Sequence, residues 1–187
     1  MSSERVLKFV TSALSGASIP FMVVGSFASN LYGVGRATYD IDVVISANAE
    51  QLQTFHSMFG KSEWYFDLSD ALDACRRKSM FNILDMLDGW KVDIIFEKPG
   101  PYHRIAFERR MPAEIEQVPL FAASPEDVII SKLDWAKIGS SSRQIEDVAG
   151  ILEEKRTSLD ISYIEKWVKE LELSSQWDTA RKLAGLE

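Results

Sequence analysis

The chain has 187 residues, of which 46% are hydrophobic, and a formal net charge of −7; that is enough apolar content for one core with a helical appendage. Its single cysteine, Cys75, excludes an internal disulfide and a thiolate zinc site, and its two histidines, His56 and His103, share no ligand spacing and read as exposed or locally bonded. No apolar run approaches a membrane span, and MSSERVLKFV begins polar and charged, so a cytoplasmic protein with no membrane partner is expected.

Charge is uneven along the chain. Positions 1–110 hold 12 Lys and Arg against 13 Asp and Glu, whereas positions 111–187 hold 9 against 15. The acidity of the second part argues against its binding nucleic acid without regard to sequence, because such binding depends on neutralising phosphates.

Val6, Leu7, Phe9, Val10, Ala13 and Leu14 recur at helical spacing, with Gly16 as a left-handed stop. Pro20 leads into a short strand, FMVVG. Gly25 and Ser26 then fall where this strand meets a helix N-terminus, whose free N–H groups suit a phosphate. Neither G-x-G-x-x-G nor G-x-x-x-x-G-K-[ST] is present, which excludes Rossmann and Walker readings.

In YDIDVVI, Asp40 and Asp42 stand at i and i+2, so a strand points both to one face. A third carboxylate, Asp93, lies in another apolar run, KVDIIF. Strands normally exclude Asp, and each desolvated charge costs several kcal/mol unless cations or hydrogen bonds compensate. Divalent metal accounts for all three better than the alternative in which Asp40 caps a loop and Asp42 enters an exposed edge. Without metal the carboxylates are expected to repel one another.

Residues 48–60 read as a crossover helix through Leu52, Phe55, Met58 and Phe59, and the segment around 70–78 is ambiguous. MFNILDML-DG-WKVDIIF reads as a hairpin with a type I′ turn at Asp88-Gly89. That turn sets Leu87 opposite Trp90 and Leu84 opposite Asp93. Asp93 then shares a face with Asn82, Leu84 and Lys91, while Asp85 intrudes on the apolar face without explanation. PGPYHRIAFERRMP, turn-rich and basic at His103, Arg104, Arg109 and Arg110, reads as a solvated connection in preference to a substrate loop. A further strand is expected in EIEQVPLFAAS.

Ser124-Pro125-Glu126-Asp127 is a helix start with a capping Ser, Pro at the first position and acids on the positive dipole end. Gly139 and three serines separate that helix from one carrying Ile145, Val148, Ala149 and Leu152. Asp160 caps a third, with Ile161, Ile164, Trp167, Val168 and Leu171, and a last piece bears Trp177, Ala180 and Leu183. The expected fold class is α+β: a mixed sheet with flanking helices over residues 1–123, followed by a C-terminal helical bundle over 124–187 docked on it.

The stretch VVGSFASNLYGVGRATYDIDVVI resembles the signature of the DNA polymerase beta-like nucleotidyltransferase superfamily, in which a strand ends in Gly-Ser and a short helix leads to an Asp-x-Asp strand. The closer likeness is to AbiEii-type bacterial nucleotidyltransferases. It rests on Arg36-x-Thr38-x-Asp40-x-Asp42 and on SKLDWAKIGSSSRQIEDVAGIL, with Lys132, Arg143 and Asp147 at the matching places. These blocks and the pattern between them cover most of positions 20–170. FASNLYGVG is more polar than the usual helix, which leaves Ser29 and Asn30 without an assigned role.

The resemblance implies a nucleotidyltransferase core in which Asp40, Asp42 and Asp93 are catalytic and hold Mg²⁺ or Mn²⁺. Gly25 and Ser26 would bind the pyrophosphate portion of a nucleoside triphosphate. Arg36, Thr38 and Lys132 would contact the nucleotide, and Asp147 would help to place Lys132. From the residues alone an ordinary surface lysine fits position 132 equally well. Three functional readings stay open: transfer to a macromolecule, tRNA or a partner protein, in a toxin or phage-defence setting with a cognate antitoxin; transfer to a small molecule of the antibiotic type; and a non-catalytic nucleotide-binding relative, against which the three carboxylates weigh. An RNA acceptor would meet Arg104, Arg109 and Arg110. No serine or cysteine nucleophile motif is present.

Overall fold

The computed structural model describes residues 3–33 and 35–186. The chain divides into two compact units, Met1–Phe27 with Ala37–Ala122 and Ala28–Arg36 with Ala123–Glu187. The first holds helices α1 (Ser3–Gly16), α3 (Ala49–Ser57), α4 (Leu68–Arg77) and α5 (Pro101–Glu108). Its strands are β1 (Phe21–Val23), β2 (Asp40–Ile45), β3 (Trp64–Tyr65), β4 (Met80–Asp85), β5 (Lys91–Phe96), β6 (Met111–Ile115) and β7 (Val118–Ala122). A one-turn helix, α2 (Gly25–Ser29), leads out of the first unit; α6 (Pro125–Gly139), α7 (Ser142–Lys155), α8 (Ile161–Glu170) and α9 (Ser174–Leu183) belong to the second. This is the expected α+β class with C-terminal helices. Among the described residues no helix is long and apolar enough to cross a membrane.

Among the described residues the seven strands form one mixed sheet in the order β3-β4-β5-β2-β1-β7-β6, with β2·β5 and β1·β7 parallel and the other pairs antiparallel. Alternation gives the central strands one apolar face. Ile41, Val43, Ile45, Phe81, Ile83, Val92, Ile94 and Phe96 are all buried on it. Rings of Phe55 from α3, Phe66, Phe81 and Phe96 follow one another at centroid spacings of 5.5, 5.3 and 6.2 Å, within the range of favourable aromatic pairs. The ambiguous segment is α4, capped by Asp67, whose carboxylate accepts the N–H groups of Ser69 and Asp70.

Several sequence expectations are corrected. The left-handed residue after α1 is Ser18, at φ 54°, not Gly16; Gly16 instead makes room for the Met58 methyl, which an added Cβ would approach to 3.1 Å. The basic stretch after β5 is the helix α5, with Pro101 in its first turn and Tyr102, Ala106 and Phe107 buried. The single strand expected beyond it is a hairpin, β6–β7, turned by Glu116 and Gln117 at φ 49° and 64°.

The β4–β5 hairpin keeps the expected faces but not the expected register. Asn82, not Leu84, lies opposite Asp93, and Leu84 lies opposite Lys91. The Asp88-Gly89 pair does not form a type I′ turn, which needs positive φ at both residues; among non-glycine residues with positive φ, Asp88 is absent. The loop closes one step earlier, by the Gly89 N–H donating to the Asp85 carbonyl at 3.0 Å and the Asp85 N–H to the Trp90 carbonyl at 2.8 Å. The buried Asp85 carboxylate accepts the N–H groups of Leu87 (3.4 Å) and Asp88 (3.1 Å), and the Arg5 guanidinium of α1 binds it at 2.5 Å. Asp85, unexplained in the sequence, therefore ties the hairpin turn to α1. Asp85→Ala should lower stability by about 2–3 kcal/mol, the scale of a charged group's lost hydrogen bonds. Its cost should shrink in an Arg5→Ala background, as a double-mutant cycle of urea melts would measure.

In the second unit, acids organise helix starts. Ser124 caps α6 by accepting the Asp127 N–H (3.2 Å), while the Asp127 carboxylate accepts the hydroxyls of Ser124 (2.6 Å) and Tyr163 (2.8 Å). Glu126 accepts the N–H of Asp160, the residue that caps α8. The Ala28–Arg36 segment joins these helices through the Tyr32 hydroxyl, which donates to the Ala123 carbonyl at 2.8 Å. Gly33 packs so closely on α7 that a Cβ would come within 3.0 Å of Ile151.

Burial, reinforced by Glu126 and Asp127, pushes the Tyr32 hydroxyl up from 10.0 to about 12. The folded state thus holds this proton where the unfolded chain has released it. The stabilising contribution is whole below pH 10 and is lost as pH rises toward 12. Tyr32→Phe should flatten that part of the alkaline stability profile, and one of the five tyrosines should ionise late in an ultraviolet absorbance titration of the wild type.

Candidate active site

The parallel pairing of β2 with β5 brings together strands far apart in sequence, with Asp42 opposite Asp93 and Asp40 opposite Lys91. Paired residues share a face, so the three predicted carboxylates and Lys91 stand together on the side opposite the aromatic core. The Val24 N–H donates to the Asp42 carbonyl at 2.9 Å, which sets Gly25 against the Asp42 side chain. Gly25 has φ 63°, and a Cβ there would lie 2.0 Å from Asp42 Oδ2. Only glycine meets both conditions. Ser26 follows, half-buried, in the first turn of α2. Thr38 exchanges hydrogen bonds with the backbone of Asp40 at 3.3 and 3.4 Å, fixing the entry to β2.

The expected repulsion among bare carboxylates is corrected by Lys91. Its Nζ lies 2.9 Å from Asp93 Oδ2 and 3.7 Å from Asp40 Oδ1. The hydrogen bond to Asp93 raises the lysine's pKa; partial burial opposes the rise, and the charges of Asp93, Asp40 and Asp42 add to it. Sequence reading put Lys91 on this face but assigned it no role, although its spacing of two from Asp93 was the available signal.

Asp93 is only 7% exposed, and its Oδ1 is buried with no hydrogen-bond partner among the described residues. A buried acceptor left unsatisfied is costly. Hard carboxylate oxygens on one face with one coordination point open match the donor set of Mg²⁺ or Mn²⁺. Among the described residues no three His, Cys, Asp or Glu side chains are already gathered as metal ligands, and the cation held at Asp93 is the lysine's own.

The other predicted residues, Arg36, Lys132 and Asp147, meet in the second unit. Lys132 is not a surface lysine: it is 4% exposed, and its Nζ donates to Asp147 Oδ2 (2.7 Å) and Gln144 Oε1 (3.2 Å). The same Asp147 oxygen accepts from Arg36 Nε at 3.3 Å. Asn30, which the sequence left unassigned, holds the Arg36 backbone at both ends, accepting its N–H (3.1 Å) and donating to its carbonyl (2.9 Å). Arg36 and Asp147 border an open cavity of about 350 Å³, together with Gly35, Glu146, Gly150 and Glu153. Arg143, from the same sequence block, is exposed on α7.

No family model matches the sequence, and no curated protein matches it significantly. Solved structures do match. The antibiotic-resistance factor ANT(2'')-Ia in solution is 15% identical, with 97% of each chain covered and a TM-score of 0.56. The same protein in complex with adenylyl-2''-tobramycin is 15% identical over 95% of this chain and 99% of that one, TM-score 0.54. An antigenic nucleotidyltransferase-like protein from Paracoccidioides brasiliensis is 13% identical over 94% and 92%, TM-score 0.55. The class defined is therefore one of fold: the chain has the architecture of nucleotidyltransferase-like proteins.

The approach of Gly25 to Asp42 can be tested directly. Gly25→Ala should lower stability by about 1–3 kcal/mol, through positive-φ strain and displacement of Asp42. Gly35→Ala, where an added Cβ meets nothing within 4 Å, should change it by less than about 0.5 kcal/mol in the same urea melts.

Proposed function

We propose that the chain is a metal-dependent nucleotidyltransferase that moves a nucleoside monophosphate from a nucleoside triphosphate to a macromolecular acceptor, tRNA or a partner protein. The observation that carries the transfer reading is the in-register pair Asp42 and Asp93, with Asp40 on the same face and the Gly25 turn pressed against Asp42. Mg²⁺ or Mn²⁺ would be held by Asp40, Asp42 and Asp93, and when bound supplies charge neutralisation and a lowered pKa at the attacking hydroxyl. The chain's own part is placement. The Gly25–Ser26 backbone binds the departing pyrophosphate portion, Asp93 lies beside the attacking hydroxyl and accepts its proton, and Thr38 fixes the strand that carries Asp40. Arg36 and Lys132 are the basic nucleotide contacts, both anchored on Asp147. The macromolecular acceptor, and a toxin or phage-defence setting with a cognate antitoxin, rest on the likeness of two sequence blocks to AbiEii-type enzymes.

A second reading, transfer to a small hydroxyl compound, is favoured by the near full-length fold likeness to ANT(2'')-Ia, a protein solved with adenylyl-2''-tobramycin. It gains from the state of Arg110, one of the basic residues expected to meet RNA. That guanidinium lies over the rings of Phe107 (4.5 Å) and Phe121 (5.5 Å) and donates to the Phe107 carbonyl, so it is committed to packing.

Each of the four triphosphates, labelled on the α-phosphate, should be offered with Mg²⁺ or Mn²⁺ to total tRNA, to cell protein and to a panel of aminoglycosides. Label on RNA or protein supports the first reading and label on an aminoglycoside the second. Asp42→Asn or Asp93→Asn should reduce either by at least about a hundredfold. No transfer to any acceptor, with no rise in melting temperature on adding metal and triphosphate, would defeat both.

A further inference from the structure

We infer that Lys91 is an internal counter-cation of the carboxylate site, which a divalent ion must displace, so that metal binding releases the ammonium from Asp93. The inference rests on the metal-dependent reading above and concerns how that site rests and switches.

The strand register decides which groups compete. Lys91 is the cross-strand partner of Asp40 and stands two residues before Asp93 on the same strand, so its side chain rises from the face that carries the acids. One ammonium spans two of them, at 2.9 Å from Asp93 and 3.7 Å from Asp40. It thereby occupies one oxygen of Asp93, the most buried acid of the three, while the other oxygen has no hydrogen-bond partner among the described residues. The Asp93 carboxylate is half satisfied.

A divalent ion on the Asp93 carboxylate would bring two positive charges within a few ångströms of the lysine's one. At such distances like charges repel by kcal/mol even at the higher effective dielectrics of proteins, so ammonium and metal exclude each other. The lysine can leave. Its side chain is 37% exposed, its four-carbon stem is flexible, and an ammonium is strongly hydrated once it reaches water. The buried carboxylate, by contrast, is fixed in the strand. Displacement therefore moves the lysine and not the acid, and the apparent metal affinity is lowered by the fraction of molecules in which Lys91 holds Asp93.

The experiment measures Mn²⁺ binding to the full chain by electron paramagnetic resonance, with melting temperatures in EDTA alongside. Lys91→Met should bind Mn²⁺ about tenfold more tightly than the wild type, as removal of a competitor that holds about nine-tenths of the sites requires, and should melt lower in EDTA. Lys91→Arg keeps the cation and should stay within about threefold of the wild type. Equal or weaker Mn²⁺ binding by Lys91→Met, with Mn²⁺ still bound by the wild type, overturns the displacement and leaves the metal reading intact. No Mn²⁺ bound by any of the three overturns the metal reading and the displacement together. Should Lys91→Met fail to fold, amine acylation of the wild type mapped by mass spectrometry gives the same decision: Mg²⁺ should raise labelling at Lys91 at least about threefold, and unchanged or reduced labelling overturns the inference.

Discussion

Two parallel strands hold Asp42 opposite Asp93, and most of the first unit serves to keep that register. The pairing joins segments some fifty positions apart, so no local turn enforces it, and side chains on a strand alternate between faces. A slip of one residue would carry Asp93 into the aromatic layer and Ile94 out to the acids. The chain of rings from Phe55 to Phe96 opposes such a slip, because each ring is fixed by the next. At the far end of β5 the Phe96 N–H donates to the Ser79 carbonyl and the Glu97 N–H to the Ile45 carbonyl. At the near end Arg5 and Asp85 clamp the hairpin turn to α1.

Asp85 and Asp93 illustrate two ways of burying a carboxylate. Asp85 is satisfied by two backbone N–H groups and a guanidinium, all supplied locally or by one helix, and nothing about it invites a ligand. Asp93 has one oxygen on the partly exposed Lys91 and one that meets no hydrogen-bond partner among the described residues. The first arrangement is a structural joint and the second leaves a buried acceptor unsatisfied, although in sequence both are a lone Asp in an apolar run. What separates them is the partner set, which arises from cross-strand and helix contacts and not from neighbours along the chain.

That difference explains what could be read before the fold was seen. Alternation puts Asp40 and Asp42 on one face of their strand and Asp93 on the less apolar face of its own, and a Gly-Ser pair after a strand marks a turn, because these signals are local; that the three acids share one face depends on the parallel pairing. The hairpin register departs from the expected one by two residues because Asp88-Gly89 is a strong turn signal, while the side chain that captures the turn, Asp85, works through Arg5, eighty positions away. The β6–β7 hairpin was hidden because Glu116 and Gln117 adopt positive φ without being Gly, Asn or Asp. Pro and Gly ahead of α5 read as punctuation where Pro101 in fact opens a helix. Lys91 stood in plain view on the correct face, but its partnership with Asp40 exists only through the parallel pairing.

The two charged clusters, each within its own unit, follow one rule with opposite sign. At the carboxylates the Lys91 ammonium lies against Asp93 and Asp40; in the second unit the Asp147 carboxylate accepts from Lys132 and Arg36. In both, the residue of minority charge is the one that organises the rest, and removing it would leave like charges facing one another at short range. A cluster closed in this way gains little from a neutral ligand. It can be opened only by a ligand that brings its own charge in exchange: a cation at the carboxylates, a polyanion at the basic pair. Selectivity in this arrangement comes from partner exchange, because the interactions lost on opening each cluster are repaid only by a ligand of the matching sign.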